Sequence, residues 1–196
     1  PDADIEAEQP LATASFKDST GQVEVAGGDY QIRIAPAGSK TVVFDSGTIA
    51  LPADADLLVV ATQNTGTGSS PVTLLVADGT SSFKIWDVNS KANVRVVHAV
   101  SDAPAVDVIA NNALTLFDGI SYPDVTAYVA VDAGDYTIDI AVDGAEDTVA
   151  IDDAAISVES GMFYTAFANS DLASIGLDLV VDVPRPIATA AKVRIF

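Results

Sequence analysis

His98 is the single histidine of the chain, and Ser101 and Asp102 follow it within four residues. A histidine, a serine and a carboxylate are the groups of a nucleophilic triad, in which a base takes the serine proton and the acid orients the base. A triad needs its members to converge in space. Neighbours at the end of one strand point along or away from one another, and no G-x-S-x-G elbow exposes a serine. The structural expectation is that His98 hydrogen-bonds the turn Val100–Pro104, where Asp102 accepts backbone N–H groups and Pro104 fixes φ. With one histidine and no cysteine, multi-histidine sites, thiolate sites, disulfides and Cys nucleophiles are excluded. No catalytic or cofactor-binding residue is assigned.

The 28 acids guarantee close carboxylate pairs somewhere. Glycoside hydrolysis needs more, a cleft with aromatic sugar platforms, and aromatics make up only 7% of the residues. Calcium suits hard oxygen ligands on loops, and two clusters offer them: Asp143, Glu146 and Asp147 in one, Asp54 and Asp56 in the other. Neither reproduces the D-x-[DN]-x-[DN]-G loop, so solvated turns are the simpler expectation and calcium remains a weak candidate. Gly66-Thr67-Gly68-Ser69-Ser70 lacks the G-K-[ST] ending of a phosphate cradle and reads as an inter-strand loop. A Lys–Asn isopeptide would draw on Lys91 or Lys84 with Asn169 or Asn64.

The elements that must carry these residues are strands. In Tyr136-Thr137-Ile138-Asp139-Ile140-Ala141-Val142 the large apolar residues alternate, which sends them to one face of a strand, and Tyr30–Ile34 does the same. Further strands are expected at 22–26, 41–44, 57–63, 72–77, 94–97, 106–110, 127–131, 148–151, 162–168 and 176–181. Turn residues such as Gly27-Gly28-Asp29 and Asp143-Gly144 separate them. No window shows a capped helical stripe. Short strands at roughly 8–12-residue spacing indicate an all-β fold of two tandem Ig-like antiparallel β-sandwiches.

The pattern repeats. Gly28-Asp29-Tyr30-Gln31-Ile32-Arg33-Ile34-Ala35 matches Gly134-Asp135-Tyr136-Thr137-Ile138-Asp139-Ile140-Ala141, and Val23-Glu24-Val25 matches Val129-Ala130-Val131. Leu57–Asn64 parallels Met162–Asn169, and Ala92-Asn93-Val94-Arg95-Val96-Val97 returns as Ala191-Lys192-Val193-Arg194-Ile195-Phe196. Tyr30 and Tyr136, each after Gly-Asp, are expected to pack sandwich corners. The expected domains are 1–90, lacking its opening strand, and 91–183. Residues 184–196 then form a connector and a spare opening strand that another sheet could receive. The stretches 78–93, which holds Trp86, and 183–192 read as connectors.

The segment Val94–Val108, VRVVHAVSDAPAVDV, carries a signature. It resembles an uncharacterised domain family of bacterial and archaeal surface proteins, a domain of unknown function whose segment reads V-R-V-V-H-A-S-P-D-A-P-A-V-D-V. Ala133-Gly134-Asp135-Tyr136-Thr137-Ile138 matches that family's later A-G-x-Y-x-V stretch. The resemblance covers most of residues 92–183. It implies a tandem Ig-like sandwich in exported proteins with no established catalysis, and it marks His98, Asp102, Pro104 and Asp107 as structural motif residues. Val100-Ser101 departs from the usual S-P step. In the first copy only Pro1-Asp2-Ala3 and Gly28-Asp29-Tyr30 fit.

Charge bounds the partners. Nine bases against 28 acids give 9 − 28 = −19, split −8 over residues 1–90 (4 bases, 12 acids) and −11 over 91–196 (5 bases, 16 acids). Nucleic acid and anionic membrane surfaces are disfavoured, while 49% hydrophobic residues set the chain apart from disordered acidic tails. No apolar run reaches the roughly 18 residues of a membrane span. Pro1-Asp2-Ala3-Asp4 shows no leader, as a mature segment also would not. Dense carboxylates suit an extracellular or cell-surface location in salt, with an acidic cytoplasmic protein as the alternative. The expected function is a non-enzymatic spacer or adhesion segment of an exported surface protein, partnered by neighbouring repeats. The alternative is a module that binds polysaccharide or protein, with calcium as an aid.

Overall fold

Alternation of apolar and polar residues becomes strand throughout the computed structural model, which describes residues 4–184 and 188–195, without the Glu146 side chain. The described residues form strands and no helix, so the fold is all-β. The chain divides into two units, Pro1–Ser90 and Lys91–Phe196. Pro1-Asp2-Ala3, the Glu146 side chain and Phe196, named in the sequence analysis, lie outside the described residues.

In the first unit β1 (Gly28–Ile34) pairs antiparallel with β2 (Phe44–Leu51). A second sheet runs β3 (Leu58–Gln63), β4 (Val72–Ala77), β5 (Ser82–Ile85), all antiparallel. Its buried side chains are few: Phe44 from β2, Thr73, Leu74 and Val76 from β4, with Ser70, Asp87 and Ser90 beside them. The stretch 78–93, expected as a connector, instead supplies β5. Asp87 then ties back to β2, its Oδ2 accepting the Asp45 N–H at 2.8 Å.

The second unit has two four-stranded sheets. One is ordered β11 (Ala145–Val158), β10 (Gly134–Val142), β7 (Val106–Ala110), β8 (Leu114–Ile120). The other is ordered β13 (Gly176–Asp182), β12 (Phe163–Asn169), β6 (Ala92–His98), β9 (Val129–Val131). Inward residues of both sheets meet in one core, with Val96, Ala166 and Ala168 against Val108, Phe117, Ile138 and Ile140. The all-antiparallel expectation needs a correction: β6 and β12 run parallel, Tyr164 opposite Val94, so this sheet is mixed. Their sequence separation permits it, because a parallel pair needs a long crossover and some 65 residues intervene.

Other departures have local causes. Strand β8 is not among the strands expected from sequence, because its polar and apolar residues alternate weakly. The turn before it is legible in retrospect: Asn111 and Asn112 take φ 52° and 53°, a left-handed conformation asparagine tolerates. Residues 22–26 form no strand. Their counterpart β9 is held by β6, with Ala92 opposite Val131, and the first unit has no described strand in the place of β6. Residues 191–195 likewise form no strand.

Candidate functional site

His98 ends β6 and is 1% exposed. Its Nδ1 accepts the Val100 N–H at 3.3 Å, which leaves Nε2 to donate to the Pro104 carbonyl at 3.2 Å. Both ring nitrogens therefore hold the turn that follows the strand. Ser101 is exposed, and Asp102 faces elsewhere, its Oδ1 accepting the Leu172 N–H at 3.1 Å from the β12–β13 loop. His98, Ser101 and Asp102 thus do not converge. The partner of Asp102 is this distant loop, where a backbone N–H of its own turn was expected.

Asp107 shows what the buried acids do. It lies on β7 where the register with β8 shifts between Val106 and Val108, and its Oδ1 accepts the Gly119 N–H at 2.7 Å. Asp139 repeats the device on β10: at the shift between Ile138 and Ile140, its Oδ1 accepts the Asp153 N–H at 2.7 Å. Gly119 and Asp153, the two donors, have φ 61° and 50°. A bulge leaves an N–H off the ladder, and a buried carboxylate satisfies it with a charge-assisted bond.

These two acids also anchor carboxylate clusters. Asp107, Asp118 and Asp143 bring oxygens within 4.8 Å of one another, and so do Asp139, Asp152 and Asp153. Of the calcium candidates read from sequence, Asp143 joins the first cluster. Asp147, Asp54 and Asp56 are exposed and join neither described cluster. The buried member of each cluster serves the bulge, so the bulge accounts for its place.

Tyr30 and Tyr136 occupy matching positions. Tyr30 donates to the Ala26 carbonyl at 2.6 Å and Tyr136 to the Asp132 carbonyl at 2.8 Å, each four residues back. The glycines before them, Gly28 and Gly134, share φ 149° and 147°. Tyr136 also packs on the core, half-buried.

A polar cluster joins Arg95 of β6, Thr165 of β12 and Asp182 of β13 with Tyr128, and no sequence motif marks it. Arg95 Nε donates to Thr165 Oγ1 at 2.8 Å, its guanidinium lies 4.7 Å from the Tyr128 ring centre, and it stands 3.6 Å from Asp182. Asp182 accepts from Tyr128 at 2.6 Å and from Thr165. Burial, then the Asp182 carboxylate, pushes the Tyr128 phenol above its ordinary pKa. Arg95, alternating with core residues Val94 and Val96, was the available signal for a residue on the outward face.

The remaining motifs resolve into packing. The 66–70 loop is closed by Asn64, which donates to the Ser70 carbonyl at 2.9 Å and accepts the Gly66 N–H at 2.8 Å. A Cβ at Gly66 would meet the Trp86 ring at 2.9 Å, so glycine is needed there. Lys84 lies over Trp86, Lys91 pairs with Asp132, and Asn169 bonds Asp178 at 2.5 Å. Lys84, Lys91 and Asn169 thus each have another partner, and Asn64 closes its own loop. The enclosed cavity of the second unit, about 20 Å³ and lined by apolar core side chains, holds no more than one small void.

Residues 92–196, 105 of the 196, match the family model described as Domain of unknown function (DUF4397). No curated protein matches the chain, and no solved structure does. With more than half of its length so matched, the chain belongs to the DUF4397 family.

Proposed function

We propose that the chain is a non-enzymatic, tandem β-sandwich segment of an exported cell-surface protein, with Ig-like units acting as spacer or adhesion modules. The observation that carries this reading is duplication of a structural device. Gly-Asp-Tyr opens a strand in each unit, with the same glycine φ and the same tyrosine bond four residues back. Repeating such a unit extends a surface structure without adding chemistry. The chain's one histidine supports it, since both ring nitrogens are spent on the turn 100–104. Acidity spread over both units fits a hydrated outer surface.

Two measurements test the reading. Antibody raised against the chain should label intact cells of the source organism. Labelling only after lysis would overturn the surface location. A broad hydrolase screen should show no turnover, and turnover abolished by His98→Ala would overturn the non-enzymatic role.

A further inference from the structure

In an Asp-Gly step a carboxyl side chain stands next to an unshielded backbone nitrogen, because glycine has no Cβ to block the approach. The sequence holds three such steps: Asp78-Gly79, Asp118-Gly119 and Asp143-Gly144. In the first two the fold occupies one of the reactants. The Asp78 carboxylate accepts four hydrogen bonds, from the N–H and hydroxyl groups of Thr80 and Ser81. The Gly119 N–H donates to the buried Asp107 Oδ1 at 2.7 Å.

At Asp143-Gly144 both reactants are open. The pair is the turn between β10 and β11, exposed, just beyond the pairing of Val142 with Ala145. The Asp143 N–H is held by the Ala105 carbonyl at 3.0 Å, which steadies that residue's own backbone. Among the described residues neither the Asp143 carboxylate nor the Gly144 N–H makes a hydrogen bond, and the neighbours of the carboxylate, Asp107 and Asp118, are carboxylates too. Gly144 takes φ 71°, and a Cβ built there would meet nothing within 4 Å, so water reaches the turn. We propose that Asp143-Gly144 is a site of self-modification, converted to isoaspartate in the folded protein while the other two Asp-Gly steps are protected.

The step is a condensation followed by a hydrolysis. The Gly144 nitrogen attacks Cγ of the protonated Asp143 carboxyl group. The N–Cγ bond forms, the Cγ–OH bond breaks, and the hydroxyl leaves as water with the proton of the N–H. Water then opens the cyclic imide at either carbonyl. Addition at Cγ restores aspartate. Addition at the main-chain carbonyl breaks its bond to the Gly144 nitrogen, so the chain now runs through Cγ and the former carbonyl carbon becomes a free carboxylate. Water is the one co-reactant. The turn gains a methylene next to Val142, which pairs with Ala145 on one side and Val106 on the other, so these pairs take up the change first. The carboxylate is also drawn back to the main chain, away from Asp107 and Asp118. The β10–β11 turn thus records the age of the molecule. This inference goes beyond the spacer reading and does not depend on it.

Ageing the full chain at neutral pH, at a temperature where it stays folded, tests the proposal. Isoaspartate is read by methyl transfer from an isoaspartyl methyltransferase and located by peptide mapping. A charge-assisted hydrogen bond must break before either protected step can react, which slows it about tenfold. Asp143 should therefore carry about tenfold more isoaspartate than Asp78 or Asp118. Aged in urea, the three steps lose the protection of the fold and should accumulate isoaspartate at similar rates. Asp143→Glu, whose longer side chain would have to close a larger ring, should remove most of the label from the folded chain, and circular dichroism verifies that this surface variant stays folded. Isoaspartate absent from Asp143, or no more abundant there than at Asp78 and Asp118, would overturn the proposal. So would an Asp143 excess that persists in urea, since local sequence and not the fold would then set it, or a label that Asp143→Glu leaves in place.

Discussion

Strand β10 of the second unit and β1 of the first open on the same Gly-Asp-Tyr and hold the tyrosine in the same way, yet their surroundings differ. β10 has a neighbour on each side, β11 and β7, and sends Ile138 and Ile140 into a core shared by two four-stranded sheets. β1 has β2 alone, and its side chains stay half-exposed. The same holds for β12, largely buried between β13 and β6, against the exposed β3. A strand sequence therefore does not secure its own burial. What buries it is the neighbour, and the second unit has the strands β6 to β9 for which the described part of the first unit shows no counterpart.

The largest test of that contrast is a core truncation in each unit. Ile140 is fully buried and Leu74 nearly so. Ile140→Ala should cost about 4 kcal/mol, because two sheets enclose the cavity it leaves. Leu74→Ala should cost about 2 kcal/mol, because a thinner layer relaxes around it. Urea unfolding followed by Trp86 fluorescence, which reports on the first unit, and by circular dichroism would measure both. Equal losses would break the contrast. Removing a hydroxyl should have the opposite character: Tyr30→Phe and Tyr136→Phe each lose one bond to a carbonyl four residues back. Each should cost about 1 kcal/mol. A cost confined to Tyr136 would show that the shared device works only with a complete core around it.

How far the sequence reveals this molecule depends on the range of the interaction concerned. Alternation placed β4 and β7 at their observed ends, 72–77 and 106–110, because side-chain period is a local property. The repeat was visible for the same reason, as one residue string compared with another. Pairing was not visible. Nothing within Val23-Glu24-Val25 says that its strand character depends on β6, and nothing within Val94–Val97 says that its partner β12 runs parallel. Among the site residues, the place of His98 at a turn was legible from the turn beside it. The role of Asp107 at a bulge was not, since a register shift belongs to two strands. The cluster of Arg95, Tyr128, Thr165 and Asp182 draws on residues up to 87 positions apart, beyond any spacing argument.

That cluster gives the second unit a pH response. The Tyr128 phenol is raised, first by burial and then by the Asp182 carboxylate it bonds. A folded pKa above the unfolded one means that the contribution to stability is complete below the ordinary tyrosine range. It declines as pH rises and is gone once the folded group ionises. Wild type and Tyr128→Phe should thus differ in stability at neutral pH and converge at strongly alkaline pH. A gap that is constant up to that pH would refute the coupling. The phenylalanine ring retains the stacking of Arg95, so the comparison isolates the hydroxyl.

The smallest expected effect sets two like turns against each other. Asp78-Gly79-Thr80-Ser81 in the first unit and Asp171-Leu172-Ala173-Ser174 in the second are both Asp-x-x-Ser. The Asp78 carboxylate accepts from the Ser81 and Thr80 N–H groups and from both hydroxyls, and these bonds, the Ser81 N–H foremost, hold its pKa far below the usual carboxylate range. Asp171 accepts from the hydroxyl and N–H of Ser174, which lower it less, the hydroxyl foremost. Both groups are exposed, so solvent screening keeps their influence on stability slight. A depressed folded pKa places that influence above the unfolded value and removes it as pH falls through the folded one. Carboxyl-carbon NMR titration should show Asp78 ionised at a pH where Asp171 is already taking up its proton. Ser174→Ala should raise Asp171 toward the usual range, since its largest donor is gone, whereas Ser81→Ala should leave Asp78 still depressed by the N–H groups. If the serine variants shift the two equally, the backbone does not hold Asp78, and this turn is no better ordered than its counterpart in the more complete unit.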